Sequence, residues 1–316
     1  MLVILQGVIF AIGGSLVYAP VVSYMSEWWV KRRGLANGIV FMGSNTGGVI
    51  FPLIIPLLIS RYGIETTIRI YAVALAVALV PVLPFMKARL PESRVHGPAR
   101  RSTPQWLRNR DFWFFITINT IQGFGHFVPL IWLPTFAAAS GLSTSQASLA
   151  LTLVSAASVF SGFTMGYLSD RLNIWILAIS SLVCTSVVTF VFWGVLSYSL
   201  GGILTYGIMF GGTAGGWSSM WYGFIRPIAK DDPSMSTTIF AFLLLGRGIG
   251  NIVSTPISTA LQHARSPVAH HVQKLGFMVA GGQYRDMILY VGSCFAGASV
   301  IATLGWGWDK THPLTA

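Results

Sequence analysis

The chain has 316 residues, of which 53% are hydrophobic and only 9% charged, with a formal net charge of +11. A soluble domain carries roughly 25% charged residues, so this complement cannot cover a water-facing surface, and lipid must solvate much of the exterior. The basic surplus does not indicate nucleic acid, because Lys and Arg stand in short clusters between long apolar runs rather than along one groove.

A helix needs about 20 predominantly apolar residues to cross a bilayer. Nine windows meet that requirement: 1–25, 35–59, 67–86, 112–137, 145–167, 173–196, 201–225, 237–262 and 285–307. The expected fold is therefore an all-α integral membrane protein, a bundle of about nine transmembrane helices. The first window lacks a basic leading segment and reads as a span, not a signal peptide. A basic stretch, 87–111, contains Pro91, Pro98 and Pro104. It reads as a cytoplasmic linker between a three-helix unit, 1–86, and a six-helix unit, 112–316.

Further along, the fourth span carries Asn119, Gln122 and His126 on one helical face, at i, i+3 and i+7. The seventh holds Gly211, Gly212, Ala214, Gly215 and Gly216, and the eighth holds Gly246 and Gly250. Small residues at such spacing let helix backbones approach closely. The loop 263–284 contains His263, His270 and His271, whose spacing fits no standard metal site. Cys184 and Cys294 lie inside apolar runs and imply neither a disulfide framework nor a zinc site.

The loops set the expected orientation. If the first span runs from outside to inside, fourteen of the 20 Lys and Arg residues fall on the cytoplasmic side. They include Lys31, Arg32, Arg33, Arg171, Arg226 and Lys230. The positive-inside bias then places the amino terminus outside and the carboxyl terminus in the cytoplasm.

No enzyme constellation is present: the Gly-x-Ser-x-Gly, P-loop and His-Glu-x-x-His patterns are all missing. Arg247 is the sharpest polar residue, because a charge within an apolar span is costly and faces a cavity or a partner. Its guanidinium suits a carboxylate, and Asn251 follows one turn later. Tyr18, Trp217, Trp221 and Tyr222 are candidate contacts for an organic molecule, and Asn45 and Thr46 sit beside glycines that serve either packing or a cavity.

The stretch Gly166-Tyr-Leu-Ser-Asp170-Arg171 resembles the G-x-x-x-D-R loop signature of the major facilitator superfamily. Gly13-Gly14-Ser-Leu-Val-Tyr18-Ala-Pro20, the run Trp28-Trp29-Val-Lys31-Arg32-Arg33-Gly34-Leu-Ala36-Asn37-Gly38, the run Gly43 to Gly48, and Arg247-Gly248-Ile249-Gly250-Asn251 are similar to its monocarboxylate transporter family, especially the fungal members. The resemblance places the nine spans as family helices four to twelve, so helices one to three are expected to be missing from this chain. It implies secondary transport by alternating access of a small organic anion such as a monocarboxylate. Protons are the expected coupling ion and the plasma membrane the expected location. No cofactor, ATP, metal or nucleic acid is implied, and no oligomeric state follows. The alternatives are a carrier or efflux permease for a larger organic molecule, or a truncated, non-transporting membrane protein. The implied substrate-binding residues are Arg247, Asn251, Asn119, Gln122, His126, Tyr18 and Asn45. The implied gating residues are Asp170, Arg171, Gly166, Arg32 and Arg33. Animal members carry an acid and an arginine on helix eight, where an ungapped match places Ser158 and Gly162.

Overall fold

The computed structural model describes residues 3–29, 31–89, 105–230, 232–262 and 275–311. Every regular element among them is helical. α1 (Phe10–Trp28) continues a π-helical run, Val3–Ile9. The next hydrogen-bonded run, Arg33–Leu79, is broken at Gly63, whose φ of 76° and ψ of 169° are not helical. Phe51 and Tyr71 flank this break and pack edge to face with ring centroids 5.1 Å apart. Along a straight helix they would stand about 30 Å apart. The chain therefore folds back at Gly63, a conformation that favours glycine, and the run is two helices, α2 over 33–62 and α3 over 64–79.

The later helices begin at polar caps. These are Asn109 for α4 (Arg110–Ala139), Ser143 for α5 (Thr144–Ser169), and Asn173 for α6 (Ile174–Val188). Ser199 caps α7 (Leu200–Ala214) and Asp232 caps α9 (Pro233–Ala260). Each side chain accepts an amide of the first turn, which satisfies a donor the helix itself leaves open. A π-helical run, Thr189–Leu196, extends α6. Gly215 and Gly216 end α7, and a 3-10 turn, Trp217–Met220, leads into the short α8 (Trp221–Ala229). α10 spans Arg285–Thr311.

Seven helical runs among the described residues are long and apolar enough to cross a membrane. The nine expected windows differ from this number for two reasons. Windows two and three form the single run Arg33–Phe85 that Gly63 divides, and window seven is the path interrupted at Gly215. Within the expected linker 87–111, Gln105–Arg108 forms a 3-10 turn, and α4 starts at Arg110. Residues 90–104 and the three-histidine segment lie outside the described residues.

Contacts at the helix ends fix the topology. Trp28 donates its indole N–H to the carbonyl of Lys87, and the carboxylate of Glu27 accepts the amide of Arg89. The end of α1 and the chain beyond α3 thus share one face. Arg110, at the start of α4, stacks on Trp308 near the end of α10, 4.6 Å from the ring centroid. Arg33 donates to the carbonyl of Lys230, beyond α8. The basic loops therefore gather on one face of the bundle, as the charge pattern predicts.

Burial is uneven. The core is built by α4 to α10, with Trp193, Trp217, Trp221, Tyr206, Tyr222, Phe115 and Phe295 almost fully enclosed. The most apolar stretch of Arg33–Phe85 contains no buried residue. Many apolar side chains of α1 to α3, among them Leu16, Leu57, Val73 and Val77, remain outward-facing.

Candidate functional site

Two polar clusters stand apart from this apolar packing. The first lies near the middle of α9, between it and α1 and α4. α1 and α9 are in contact, as are α4 and α9. Arg247, near the middle of α9, is half-buried and donates from Nη1 to Oε1 of Gln122 at 2.9 Å. Its guanidinium lies over the Phe127 ring, 5.1 Å from the centroid. Among the described residues no carboxylate pairs with it, and every Asp and Glu sits at or beyond a helix end. Tyr18 of α1 is within electrostatic reach of Arg247.

The shared face of α4 resolves into different roles. Asn119 is fully buried, with Nδ2 donating to the Leu243 carbonyl at 2.8 Å and Oδ1 accepting from the Trp217 indole at 3.0 Å. Both of its polar atoms clamp α4 to α9 and to the turn before α8. Gln122 faces Arg247, and its Nε2 has no hydrogen-bond partner. His126 is stacked against Phe210, with centroids 5.9 Å apart, and its Nδ1 is unpartnered. Buried polar atoms are normally satisfied. The orphan atoms of Gln122, His126 and Tyr18 depart from that rule.

Other expected residues lie elsewhere. The Asn251 side chain is exposed, while its carbonyl accepts from Ser254 and Thr255. Asn45 donates to the Ser158 carbonyl of α5 at 3.1 Å, a helix-to-helix bond. Thr46 bonds back to Met42 within its own helix. Trp221 packs between Phe41 and Phe240, and Tyr222 packs on Phe240.

The second cluster closes the basic face. Asp170 follows α5 directly, and its two carboxylate oxygens accept the amides of Gly34 and Leu35 at 3.0 and 2.9 Å. An anion at a helix amino terminus satisfies open donors and meets the positive end of the helix dipole. Beside it the α2 and α5 backbones nearly touch. A Cβ on Gly38 would lie 2.7 Å from the carbonyl oxygen of Gly162, and one on Gly166 would lie 2.6 Å from that of Gly34. Gly34 with Gly38, and Gly162 with Gly166, are thus facing small-residue pairs at i, i+4. Arg33 is buried, donating from Nε to the Trp29 carbonyl at 3.2 Å and from Nη1 to the Lys230 carbonyl at 3.4 Å. Arg171 stacks on Tyr167, 4.3 Å from the centroid, and Arg32 is exposed.

Asn37 escaped sequence reasoning. It is 1% exposed and donates from Nδ2 to the carbonyls of Ser218 and Ser219, at 2.7 and 3.3 Å. The available signal was its place within the family-like run Arg33-Gly34-Leu-Ala36-Asn37-Gly38, one turn into a helix. Ser158 and Gly162 are also explained. The Ser158 hydroxyl bonds to the Val154 carbonyl, and Gly162 is pressed against Gly38.

The model of the Major Facilitator Superfamily matches residues 1–255. The chain is similar to the MFS transporter asaE of Aspergillus flavus, at 27% identity over 89% of this chain and 63% of the relative. It is similar to the MFS-type transporter pytF of Aspergillus terreus, at 29% over 54% of this chain and 58% of the relative. It is also similar to the Fujikurins efflux protein of Gibberella fujikuroi, at 29% over 82% and 55%. The chain therefore spans about three-fifths of the length of these relatives. A helical bundle with its basic loops on one face, a carboxylate of the G-x-x-x-D-R turn latching a neighbouring helix, and a family match over residues 1–255 together make this chain a member of the major facilitator superfamily.

Proposed function

We propose that the chain forms part of a secondary transporter that carries an organic anion by alternating access, with Arg247 as the anion's anchor. The observation that carries this reading is a guanidinium in mid-membrane whose hydrogen-bond partner is the neutral amide of Gln122. A charge at this depth is expensive. A resident carboxylate would neutralise it permanently, and among the described residues none does. The positive charge is thereby left for a ligand, and the guanidinium fork matches a carboxylate. Tyr18, Gln122 and His126 surround it with unpartnered polar atoms for the rest of the solute.

A monocarboxylate is the smallest solute that satisfies this chemistry. A second reading, export of a larger organic anion, is favoured by the name of the Gibberella fujikuroi relative and by the aromatic walls Phe127 and Phe210. With the described acids all at helix ends, His126 is the group proposed to carry a coupling proton. The basic face is taken as cytoplasmic on the positive-inside tendency. The α2–α5 contact and the Asp170 latch then hold the cytoplasmic side closed, and rocking of the two helical groups opens it.

Uptake of labelled pyruvate and lactate into proteoliposomes containing the full chain tests the reading, with Arg247→Ala and Arg247→Lys alongside. Removing a charged hydrogen-bond donor costs about 1.5–3 kcal/mol, so Arg247→Ala should weaken apparent affinity by at least about tenfold. Arg247→Lys keeps the charge without the fork and should fall between. Wild-type uptake by Arg247→Ala would remove Arg247 from the site. Failure of the wild-type chain to move either acid, but not a larger organic anion, would select the second reading.

A further inference from the structure

We propose that the cleft beside the Asp170 latch is a binding site for a phosphate group, whose occupancy holds the basic face closed. The cleft has a volume of about 280 Å³ and lies between the start of α2, the α5–α6 turn and α8. Four cations line it: Lys31 and Arg33 from the amino-terminal helices, and Arg171 and Arg226 from the carboxyl-terminal ones. Asp170 is the one acid in the lining, and both its oxygens are engaged by the amides of Gly34 and Leu35. Among the described residues, no carboxylate pairs with any of the four cations.

Two features distinguish this cleft from a solvated basic surface. Arg33 is 5% exposed and is held in place by the carbonyls of Trp29 and Lys230, so its cation is fixed. Tyr222 also lines the cleft, is 1% exposed, and its hydroxyl has no hydrogen-bond partner. Guanidinium groups bind phosphate oxygens in a fork, and a buried hydroxyl donor completes such a shell. The volume suits a phosphate or diphosphate group, since sites for drug-sized molecules run from roughly 300 to 1,000 Å³. A dianion bound here would bridge cations from both helical groups. It would therefore be released when they separate, so it favours the closed state by mass action. The phosphate can belong to a soluble molecule or to a phosphorylated lipid headgroup, because this face lies at the membrane surface.

The binding step is independent of the transport reading, and only the closure rests on it. The test is thermal unfolding of the purified, delipidated full chain, titrated with inorganic pyrophosphate or with a short-chain phosphatidylinositol phosphate. Chloride at matched ionic strength is the control. An upward shift in melting temperature that saturates with pyrophosphate identifies a soluble source, and one seen only with the phosphorylated lipid identifies a lipid. Either shift should be abolished in Lys31→Gln/Arg226→Gln, which replaces two exposed side chains and leaves Arg33 intact. No shift with either ligand, a shift equal to that given by chloride, or an unchanged shift in the double variant would overturn the site. A saturating shift without a shorter distance between spin labels at Trp29→Cys and Leu172→Cys would overturn the closure alone.

Discussion

Asp170 caps the first turn of α2 from a different helix, its Oδ1 accepting the Gly34 amide at 3.0 Å across 136 residues of sequence. The same carboxylate accepts the Leu35 amide, so one side chain links the two groups of helices. The residue after it does other work: Arg171 lies over the Tyr167 ring.

Asp170→Asn keeps one acceptor oxygen but removes the charge and the second acceptor. The loss of an anion from a helix amino terminus is about 0.3–1 kcal/mol, rising to about 2 kcal/mol where the site is partly buried. The closed state should lose up to about thirtyfold in population relative to the open one. Distances between spin labels at Trp29→Cys and Leu172→Cys, both exposed positions, should broaden and lengthen in the variant. An unchanged distribution would remove the latch.

The α2–α5 crossing makes a steric prediction. In Gly166→Ala the new Cβ would lie 2.6 Å from the Gly34 carbonyl oxygen and 3.1 Å from the Gly38 Cα. Both neighbours are backbone and cannot rotate away. Overpacking of this kind costs about 1–3 kcal/mol, so the melting temperature in detergent should fall and the labels should separate. Gly297→Ala in α10 meets nothing within 4 Å and should leave both measurements unchanged. Equal behaviour of the two variants would refute the close crossing.

The sequence did not carry the number of spans, since Gly63 joins two windows in one run and Gly215 interrupts a third. It carried the all-helical, membrane-spanning character and the gathering of basic loops on one face, because hydropathy and charge are local properties. The close-contact glycines Gly211, Gly246 and Gly250 were legible for the same reason, and the structure sets them against Val154, Thr120 and Gly123. The Gly34–Gly38 and Gly162–Gly166 pairs were not recognised as one crossing, since nothing local says which two helices meet. The α4 face shows a further limit. Helical spacing places Asn119, Gln122 and His126 together, but it does not tell that Asn119 is held by Leu243 and Trp217 while Gln122 meets Arg247. That difference depends on α9 and the turn before α8, more than a hundred residues away in the chain for Leu243 and nearly so for Trp217.

Asn119 therefore separates packing from solute binding. Interhelical hydrogen bonds in membranes average about 0.6 kcal/mol. Asn119→Ala, however, leaves the Trp217 indole N–H and the Leu243 carbonyl without their present partner in a fully buried place. An unsatisfied buried group costs about 1–3 kcal/mol, and the larger figure should prevail. Thermal stability should drop, and Trp217→Phe, which removes the orphaned donor, should partly restore it in the double variant. Apparent affinity for the solute should change much less than in Arg247→Ala. A large affinity loss with unaltered stability would instead place Asn119 in the binding site.

His126 permits a test that distinguishes proton coupling from a merely structural role. Its ring packs on Phe210 and Nδ1 is unpartnered, so the side chain has both an anchored face and a free nitrogen. Imidazole is the side chain whose ordinary protonation range spans neutral pH, whereas the glutamine of His126→Gln keeps hydrogen-bonding capacity and cannot titrate. If the proton travels on His126, an inward proton gradient should no longer accelerate uptake in His126→Gln. Exchange of labelled for unlabelled solute at equal pH should persist, because it requires no net proton movement. Loss of both activities would indicate a structural role for the ring. Retention of gradient-driven uptake would show that the proton is carried elsewhere.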